Sequence, residues 1–135
     1  MKELTVSATL ENIPVVTEFV DAALQAADCP AKAQAQIDMV IDELFSNIAR
    51  YAYAHGVGDA TVRVETEREP RAVYLTFIDG GKRYNPLEKE DPDVTLPAEK
   101  REAGGLGVFL VKRLADDIHY EYRNGKNILR IKKNL

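Results

Sequence analysis

Cysteine is nearly absent from the sequence, since Cys29 is the only one among 135 residues. A single thiol cannot form an internal disulfide and offers no spacing of the kind that binds a metal ion. Because Pro30 follows it, this cysteine is predicted to lie in a loop or at a helix end. Histidine is also scarce. His55 and His119 stand apart, with no second ligand and no nearby nucleophile, which predicts ordinary surface or edge positions.

Long hydrophobic runs are missing as well. No stretch of about 18 or more apolar residues could span a membrane. The N-terminal segment MKELTVSATLEN is amphipathic and acidic, unlike a secretory signal. Together these absences predict a cytoplasmic protein with no membrane contact.

The net charge of -4 argues against general nucleic-acid binding, because such binding uses many Lys and Arg contacts to phosphates. Any anionic ligand must therefore be held by a local arrangement of groups. The apolar share of 45% over 135 residues suits one hydrophobic core. Residues 1–135 are predicted to form a single domain without an internal repeat.

The spacing of apolar residues changes along the chain between the period of a strand and that of a helix. Five segments that alternate apolar and polar residues predict strands: 2–9, 61–66, 72–78, 118–122 and 128–132. Three segments with apolar residues at helical spacing predict helices: one capped by Asn12 with Pro14 in its first turn, one from Ala31 to Ala54 that ends at His55-Gly56, and one after the glycines at 104–107.

Residues 82–103 lie between the predicted strands and the third helix. This segment contains three prolines and much charge and has no periodicity, which predicts a long loop. Strands that are joined by short turns must be antiparallel. We therefore predict an α/β (α+β) two-layer sandwich, with three helices on one face of a mostly antiparallel sheet.

The second helix carries two polar residues beside its apolar stripe. Glu43 and Asn47 are one turn apart on the shoulder of that stripe, so both side chains can point into one pocket. Asp42 and Ser46 are predicted to project into solvent. A glutamate and an asparagine at this spacing also occur by chance, and the pair alone does not establish a site. The stripe itself comprises Ile37, Val40, Ile41, Leu44, Phe45, Ile48 and Ala52.

Two further segments combine turn residues with possible chemistry. Asp79 ends a predicted strand and is followed by two glycines, which is typical of a simple turn. Its carboxylate could instead accept a hydrogen bond from an exocyclic amine such as that of adenine, with Gly81 leaving room for a flat base. The glycines at 104–107 could simply shape a helix start, or their N–H groups could bind phosphates. The pattern is not a P-loop, because the Lys and Ser/Thr of that motif do not follow.

The order of these three motifs is more specific than each motif alone. The segments ELFSNIARYAY, DGGKRYNPL and REAGGLGVFLVKRLAD resemble the N box and the two glycine boxes of the GHKL, or Bergerat-fold, ATPases. Within that group the chain is most similar to the small anti-sigma factor serine kinases of bacteria. The motifs cover about residues 37–133. The relatives usually have Phe-Asp-Pro where this chain has Tyr84-Asn85-Pro86, a departure that bears on the geometry of the loop.

The resemblance implies a Bergerat ATP-binding fold and a role for each polar motif residue. Glu43 would be the general base that deprotonates the attacking hydroxyl, and Asn47 would bind the Mg²⁺ that bridges the phosphates of ATP. Asp79 would accept a hydrogen bond from the adenine amine, with Gly81 beside the base. Residues 82–103 would form a lid that closes over the triphosphate and excludes water.

The resemblance also implies a phosphate-binding group of residues. Gly104, Gly105, Leu106 and Gly107 would contribute backbone N–H groups at the start of the third helix. Basic side chains would offset the phosphate charge, and the sequence offers Lys100, Arg101 and Lys112 without choosing among them.

The function implied is that of an ATP-dependent serine kinase that also binds a sigma factor. Its phosphoryl acceptor would be a serine of an anti-anti-sigma protein of the STAS type, and a homodimer is possible. Three alternatives remain open at this stage: a nucleotide-gated binding module that transfers no phosphate, the catalytic half of a histidine kinase, and a plain structural domain.

Overall fold

The computed structural model describes residues 1–88 and 105–135, with side chains in the second range from Gly107 onward. The described part contains three α-helices and five strands. In chain order they are β1 (Lys2–Ser7), α1 (Ile13–Ala26), α2 (Ala31–Tyr51), β2 (Asp59–Arg68), β3 (Arg71–Asp79), α3 (Gly105–Leu114), β4 (Asp117–Arg123) and β5 (Lys126–Asn134). Short 3-10 turns lie at Leu10–Asn12 and at Pro86–Glu88.

The five strands form one sheet in the order β1-β2-β3-β5-β4, and each neighbouring pair is antiparallel. β3 is central, and it pairs with β5 so that Asp79 lies opposite Asn127. The predicted α+β class, with three helices and an antiparallel sheet, is confirmed. The hairpin of β4 and β5 follows from its turn. Asn124 and Gly125 both have positive φ, as a two-residue hairpin turn requires.

The core lies between the helices and one face of the sheet. α2 contributes Ile37, Ile41 and Phe45, each with 1% or less of its surface exposed. These residues recur at four-residue intervals and meet inward-facing strand residues such as Leu75 and Phe77. Burying side chains of this size stabilises the fold by about 1.5–3 kcal/mol each. α2 also contacts α1 and α3, so it lies at the centre of the helical layer.

Three local predictions were wrong. Ser46 is buried, with 6% of its surface exposed, and its hydroxyl donates to the backbone oxygen of Glu43 at 3.0 Å. Asn12 makes no side-chain cap, because its amide donates instead to the Ser7 backbone oxygen at 2.8 Å. The second helix ends at Tyr51 rather than Ala54, so Gly56, at φ +80°, belongs to the following loop and does not cap the helix.

Two other expectations can be followed only in part. Cys29 lies, as expected, between the first two helices. Of the predicted loop at 82–103, only residues 82–88 are described, and these contain the short turn at Pro86–Glu88. Residues 89–103 lie outside the described part. No helix in the described part of the chain is both long enough and apolar enough to cross a membrane.

Candidate functional site

α2 brings Glu43 and Asn47 together, as their spacing predicts. Asn47 Nδ2 donates to Glu43 Oε1 at 3.2 Å, and both side chains are partly buried. Asp42, the neighbouring carboxylate, is exposed to solvent. Because the amide nitrogen of Asn47 is used by Glu43, its carbonyl oxygen is the atom left to bind a ligand.

Gly107 lies directly against this pair. A Cβ atom at this position would stand 1.9 Å from the carboxyl carbon of Glu43 and 2.1 Å from each of its oxygens. No side chain fits in that space unless the carboxylate moves. The glycine therefore lets the first turns of α3 approach Glu43, and the carboxylate lies near the end of α3 where backbone N–H groups lack helical partners.

The other predicted phosphate-binding residues lie in different places. Gly105 begins α3 and Leu106 follows it in the same turn, whereas Gly104 and the candidate cation Arg101 lie outside the described residues. Lys112 lies in the last turn of α3, roughly 10 Å along the helix axis from its start. Its place at the far end of the helix sets it apart from the N-terminal turn that meets Glu43.

Asp79 lies at the end of β3, with 7% of its surface exposed. Its Oδ1 accepts two hydrogen bonds, one from the Gly81 N–H at 2.9 Å and one from Asn127 Nδ2 at 3.0 Å. Neither bond uses Oδ2. A buried carboxylate whose second oxygen accepts no hydrogen bond from the described residues is suited to receive a donor from a ligand.

Asp79 lines a cleft whose empty space, counting the part that is open to solvent, is about 530 Å³. It is mainly apolar, and its polar side chains include Asn47, Asp79 and Lys82. An apolar cleft with a few polar groups is the usual form of a small-molecule site. The remaining wall residues are Leu44, Ile48, Tyr51, Ala52, Phe77, Tyr84, Pro86, Tyr120, Asn127 and Leu129.

Gly81 is close to the cleft but is explained by packing within the chain. A Cβ atom at Gly81 would stand 2.2 Å from the backbone oxygen of Ala52, which is the C-terminal cap of α2. The next residue, Lys82, donates its N–H to that same oxygen at 2.8 Å. This position requires glycine to join the end of β3 to the end of α2, and its predicted contact with a base stays a prediction.

Comparison with known proteins identifies the family. Residues 6–133 match the family model described as "Histidine kinase-like ATPase domain". This chain belongs to that family.

Curated relatives of this family member include two named kinases. It is 25% identical over 99 residues to the serine/threonine-protein kinase BtrW of Bordetella bronchiseptica. The aligned residues cover 73% of this chain and 69% of BtrW. It is 28% identical over 101 residues to the serine-protein kinase RsbW of Bacillus cereus. That alignment covers 70% of this chain and 60% of RsbW. Among solved structures, the Acinetobacter baumannii histidine kinase AdeS matches 99% of this chain and 68% of its own, with a TM-score of 0.49 and 18% identity.

Several residues of this ATPase-family cleft were not predicted from the sequence. Asn127 lies on β5 and Tyr120 lies on β4, and both line the cleft together with residues of α2. A signal for Asn127 existed, because it is in step with Leu129 and Ile131 on the buried face of β5. A polar residue on a buried strand face needs internal partners, and that requirement points to Asp79 across the ladder.

Two tyrosines near the end of β3 are partly shielded from water, which raises the pKa of each hydroxyl. Burial raises the pKa of Tyr120, whose hydroxyl donates to Asn127 Oδ1. Burial also raises the pKa of Tyr53, whose hydroxyl donates to the backbone oxygen of Asp59 and accepts from the Gly80 N–H at 2.9 Å. Tyr53 thus fastens the loop after α2 to Gly80, the residue between Asp79 and Gly81.

Proposed function

We propose that this protein binds ATP in the cleft beside Asp79 and transfers the γ-phosphoryl group to a serine hydroxyl of a partner protein. The observation that carries the proposal is the position of the Glu43 carboxylate, which is held by Asn47 and lies against the N-terminal part of α3. A carboxylate fixed beside a helix N-terminus is positioned to accept a proton close to bound phosphate.

The two ends of the site would bind the two ends of the nucleotide. Asp79 lies at the floor of an apolar cleft and accepts hydrogen bonds only, which suits the amine of adenine and disfavours the carbonyl oxygen of guanine. Asn47 lines the same cleft on the side of α2, and its amide donates to Glu43, which meets α3. The phosphates would therefore extend from the base pocket past Asn47 toward the start of α3.

The residues present fit a role for Mg²⁺, which the protein would bind together with ATP. Mg²⁺ takes oxygen ligands, keeps several waters and is commonly held by one or two protein groups plus substrate phosphates. The carbonyl oxygen of Asn47 is such a group, since its amide nitrogen is engaged by Glu43. When bound, Mg²⁺ would neutralise charge that develops on the phosphate oxygens.

The transfer step assigned to this chain is a proton abstraction coupled to an in-line displacement. Glu43 accepts the proton of the serine hydroxyl as its oxygen bonds to the γ-phosphorus. The bond between the γ-phosphorus and the bridging oxygen breaks, and ADP leaves. Gly107 allows the carboxylate to occupy this place, and residues 82–103 would form the lid that excludes water.

The partners are proposed from the resemblance to anti-sigma factor serine kinases. We infer that the phosphoryl acceptor is an anti-anti-sigma protein of the STAS type and that a sigma factor is the regulated client. A homodimer and a single domain over residues 1–135 are part of the same proposal. The chain spans 60–69% of the length of the two named kinases, and the names of these kinases support a serine or threonine as acceptor.

The first experiment measures the melting temperature with and without Mg²⁺-ATP, with GTP as a control. ATP at about 100 times its dissociation constant should stabilise the fold by about 2.7 kcal/mol, a shift of several degrees. Asp79→Asn should lose this shift, because the new amide presents a donor to the adenine amine. Asp59→Asn, a change at an exposed aspartate that begins β2, should keep it.

A second experiment separates transfer from binding. Glu43→Gln should keep the ATP shift and lose transfer of labelled γ-phosphate to STAS-type proteins of the source organism. Asp42→Asn, on the same helix and exposed, serves as the matched control and should retain transfer. A wild-type protein that is free of co-purified nucleotide and ignores ATP would refute the proposal. ATP binding without transfer to any such protein would instead support a nucleotide-gated binding module.

A further inference from the structure

Asn127 makes more polar contacts at the cleft than any predicted site residue in the described part of the chain. It is 6% exposed and lies opposite Asp79 in the β3–β5 ladder. Its Nδ2 donates to Asp79 Oδ1 at 3.0 Å and to the backbone oxygen of Lys82 at 2.9 Å. Its Oδ1 accepts from the Tyr84 N–H at 3.0 Å and from the hydroxyl of Tyr120.

These four bonds use the full capacity of a carboxamide, which has two donor hydrogens and two acceptor lone pairs. They also fix which way the amide faces. The Tyr84 N–H can only donate and so must meet the oxygen of Asn127, while the Lys82 carbonyl can only accept and so must meet the nitrogen. The orientation of Asn127 is therefore determined by its partners, and its nitrogen is held toward Asp79.

The first consequence concerns the carboxylate of Asp79. Asn127 and the Gly81 N–H together engage Oδ1, which restricts rotation of the carboxylate and leaves Oδ2 as the acceptor for a ligand. The second consequence concerns the chain that follows β3. Lys82 and Tyr84 line the cleft, and the same amide holds the backbone of both residues against β5.

We propose that Asn127 is a positioning residue that orients Asp79 for the exocyclic amine of adenine and at the same time fixes the cleft wall formed by Lys82–Tyr84. This inference rests on the proposed function, because it assigns the nucleotide base to Asp79. Asn127 acts through Asp79 and through the wall, so its replacement should change discrimination between bases and not only the stability of the fold.

The test compares two ligands that differ by one amino group. Binding of Mg²⁺-ATP and of Mg²⁺-purine riboside triphosphate, which lacks the 6-amino group, is measured by titration calorimetry. A hydrogen bond to a charged acceptor should give the wild type a preference of about tenfold or more for ATP. Asn127→Ala should weaken ATP binding by about tenfold and the analogue by less than about threefold, so that the preference is lost.

Two further variants separate positioning from folding. Ile131→Val creates a small cavity on the same strand, at a buried core position that does not line the cleft, and it should lower the melting temperature while keeping the preference for ATP. Asn127→Asp keeps the size of the side chain but places a second carboxylate next to that of Asp79. Its ATP affinity should rise as the pH falls from about 8 to about 5.5, because a shared proton can then replace the lost donor.

The outcomes distinguish this inference from the proposed function. A wild type that binds neither ligand would overturn both proposals. A wild type that prefers ATP, together with an Asn127→Ala variant that keeps the full preference, would overturn the positioning role alone. If Asn127→Ala does not fold, a pH-independent ATP affinity in Asn127→Asp would overturn it instead. Hydrogen exchange at the Tyr84 amide gives a separate reading, since its acceptor is Asn127 Oδ1: protection should fall in Asn127→Ala and persist in Ile131→Val.

Discussion

Replacement of Gly107 by alanine should separate catalysis from stability. The new Cβ would stand 1.9 Å from the carboxyl carbon of Glu43, whereas such contacts ordinarily lie at 3.4–4 Å. The carboxylate is the free end of a flexible side chain, so it can rotate away and the fold need not change. An alanine inside a helix is favoured over glycine by about 0.5–1 kcal/mol. We therefore expect the melting temperature of Gly107→Ala to stay close to that of the wild type.

Catalysis should respond very differently. Relief of the contact requires the Glu43 carboxylate to retreat by more than about 1 Å, and a misplacement of that size can lower a rate by about a hundredfold. The assay is single-turnover transfer of labelled γ-phosphate to a STAS-type acceptor, with ATP affinity measured in parallel. Transfer should fall about a hundredfold or more, while ATP affinity changes by less than about threefold because Asp79 lines a different pocket from Gly107.

A double variant makes this reasoning refutable. If Gly107→Ala acts only by displacing Glu43, it should have no further effect in a Glu43→Gln background, since the group it displaces has already lost its function. Losses that multiply would mean that Gly107 serves catalysis in another way. A Gly107→Ala variant with wild-type transfer would refute the role of the Glu43 position altogether.

Three further predictions follow from contacts elsewhere in the structure. Gly81→Ala should lower the free energy of unfolding by about 1–3 kcal/mol in a denaturant titration, because its Cβ would meet the backbone of Ala52, which cannot rotate away. Burial and the facing carboxyl group of Asp21 raise the pKa of Asp38 to about 7, so folding should weaken as the pH rises from about 4 through 7. Asp38→Asn should remove this dependence and raise the melting temperature at pH 8, by an amount reduced by the partial exposure of the side chain. Tyr53→Phe should lower the free energy of unfolding by about 1–2 kcal/mol, since it leaves the amide at the end of β3 without its acceptor.

The fold could be predicted because each element has a local signal. Alternation at 61–66 and 72–78 gave two strands, and the turn between Arg123 and Lys126 has the Asn-Gly pair that a tight hairpin needs. Glu43 and Asn47 could be paired because their spacing of four is itself a contact in a helix. In all these cases the residues that determine the local structure are close together in the sequence.

Ser46 shows why the buried arc of α2 was underestimated. The apolar stripe alone predicts one buried face, but α2 also packs against α1 and α3. A helix in the middle of a layer is covered on more sides than its hydrophobic pattern indicates. The hydroxyl tolerates burial because it donates to a backbone oxygen in the preceding turn. The burial of Ser46 therefore depends on where the other two helices lie, and their positions depend on the whole fold.

The contacts that define the site are of the same non-local kind. The sequence predicts that Gly81 and Gly107 contact a ligand. The structure shows that each glycine also leaves room for a contact within the chain, because a Cβ at Gly81 would overlap Ala52 and a Cβ at Gly107 would overlap Glu43. Asp79 depends on Asn127 from another strand. The spacing of apolar residues within one segment cannot predict these contacts, because the two residues of each pair are far apart in the sequence.

α2 explains how these separate contacts make one site. Its carboxylate–amide pair meets α3, and its C-terminal oxygen at Ala52 accepts from Lys82 just beyond the strand that ends in Asp79. The same helix therefore contacts both parts of the candidate site, at Gly107 through Glu43 and at Lys82 through Ala52. A change at the end of α2, such as the loss of the Lys82–Ala52 bond, should alter nucleotide affinity without touching the nucleotide itself.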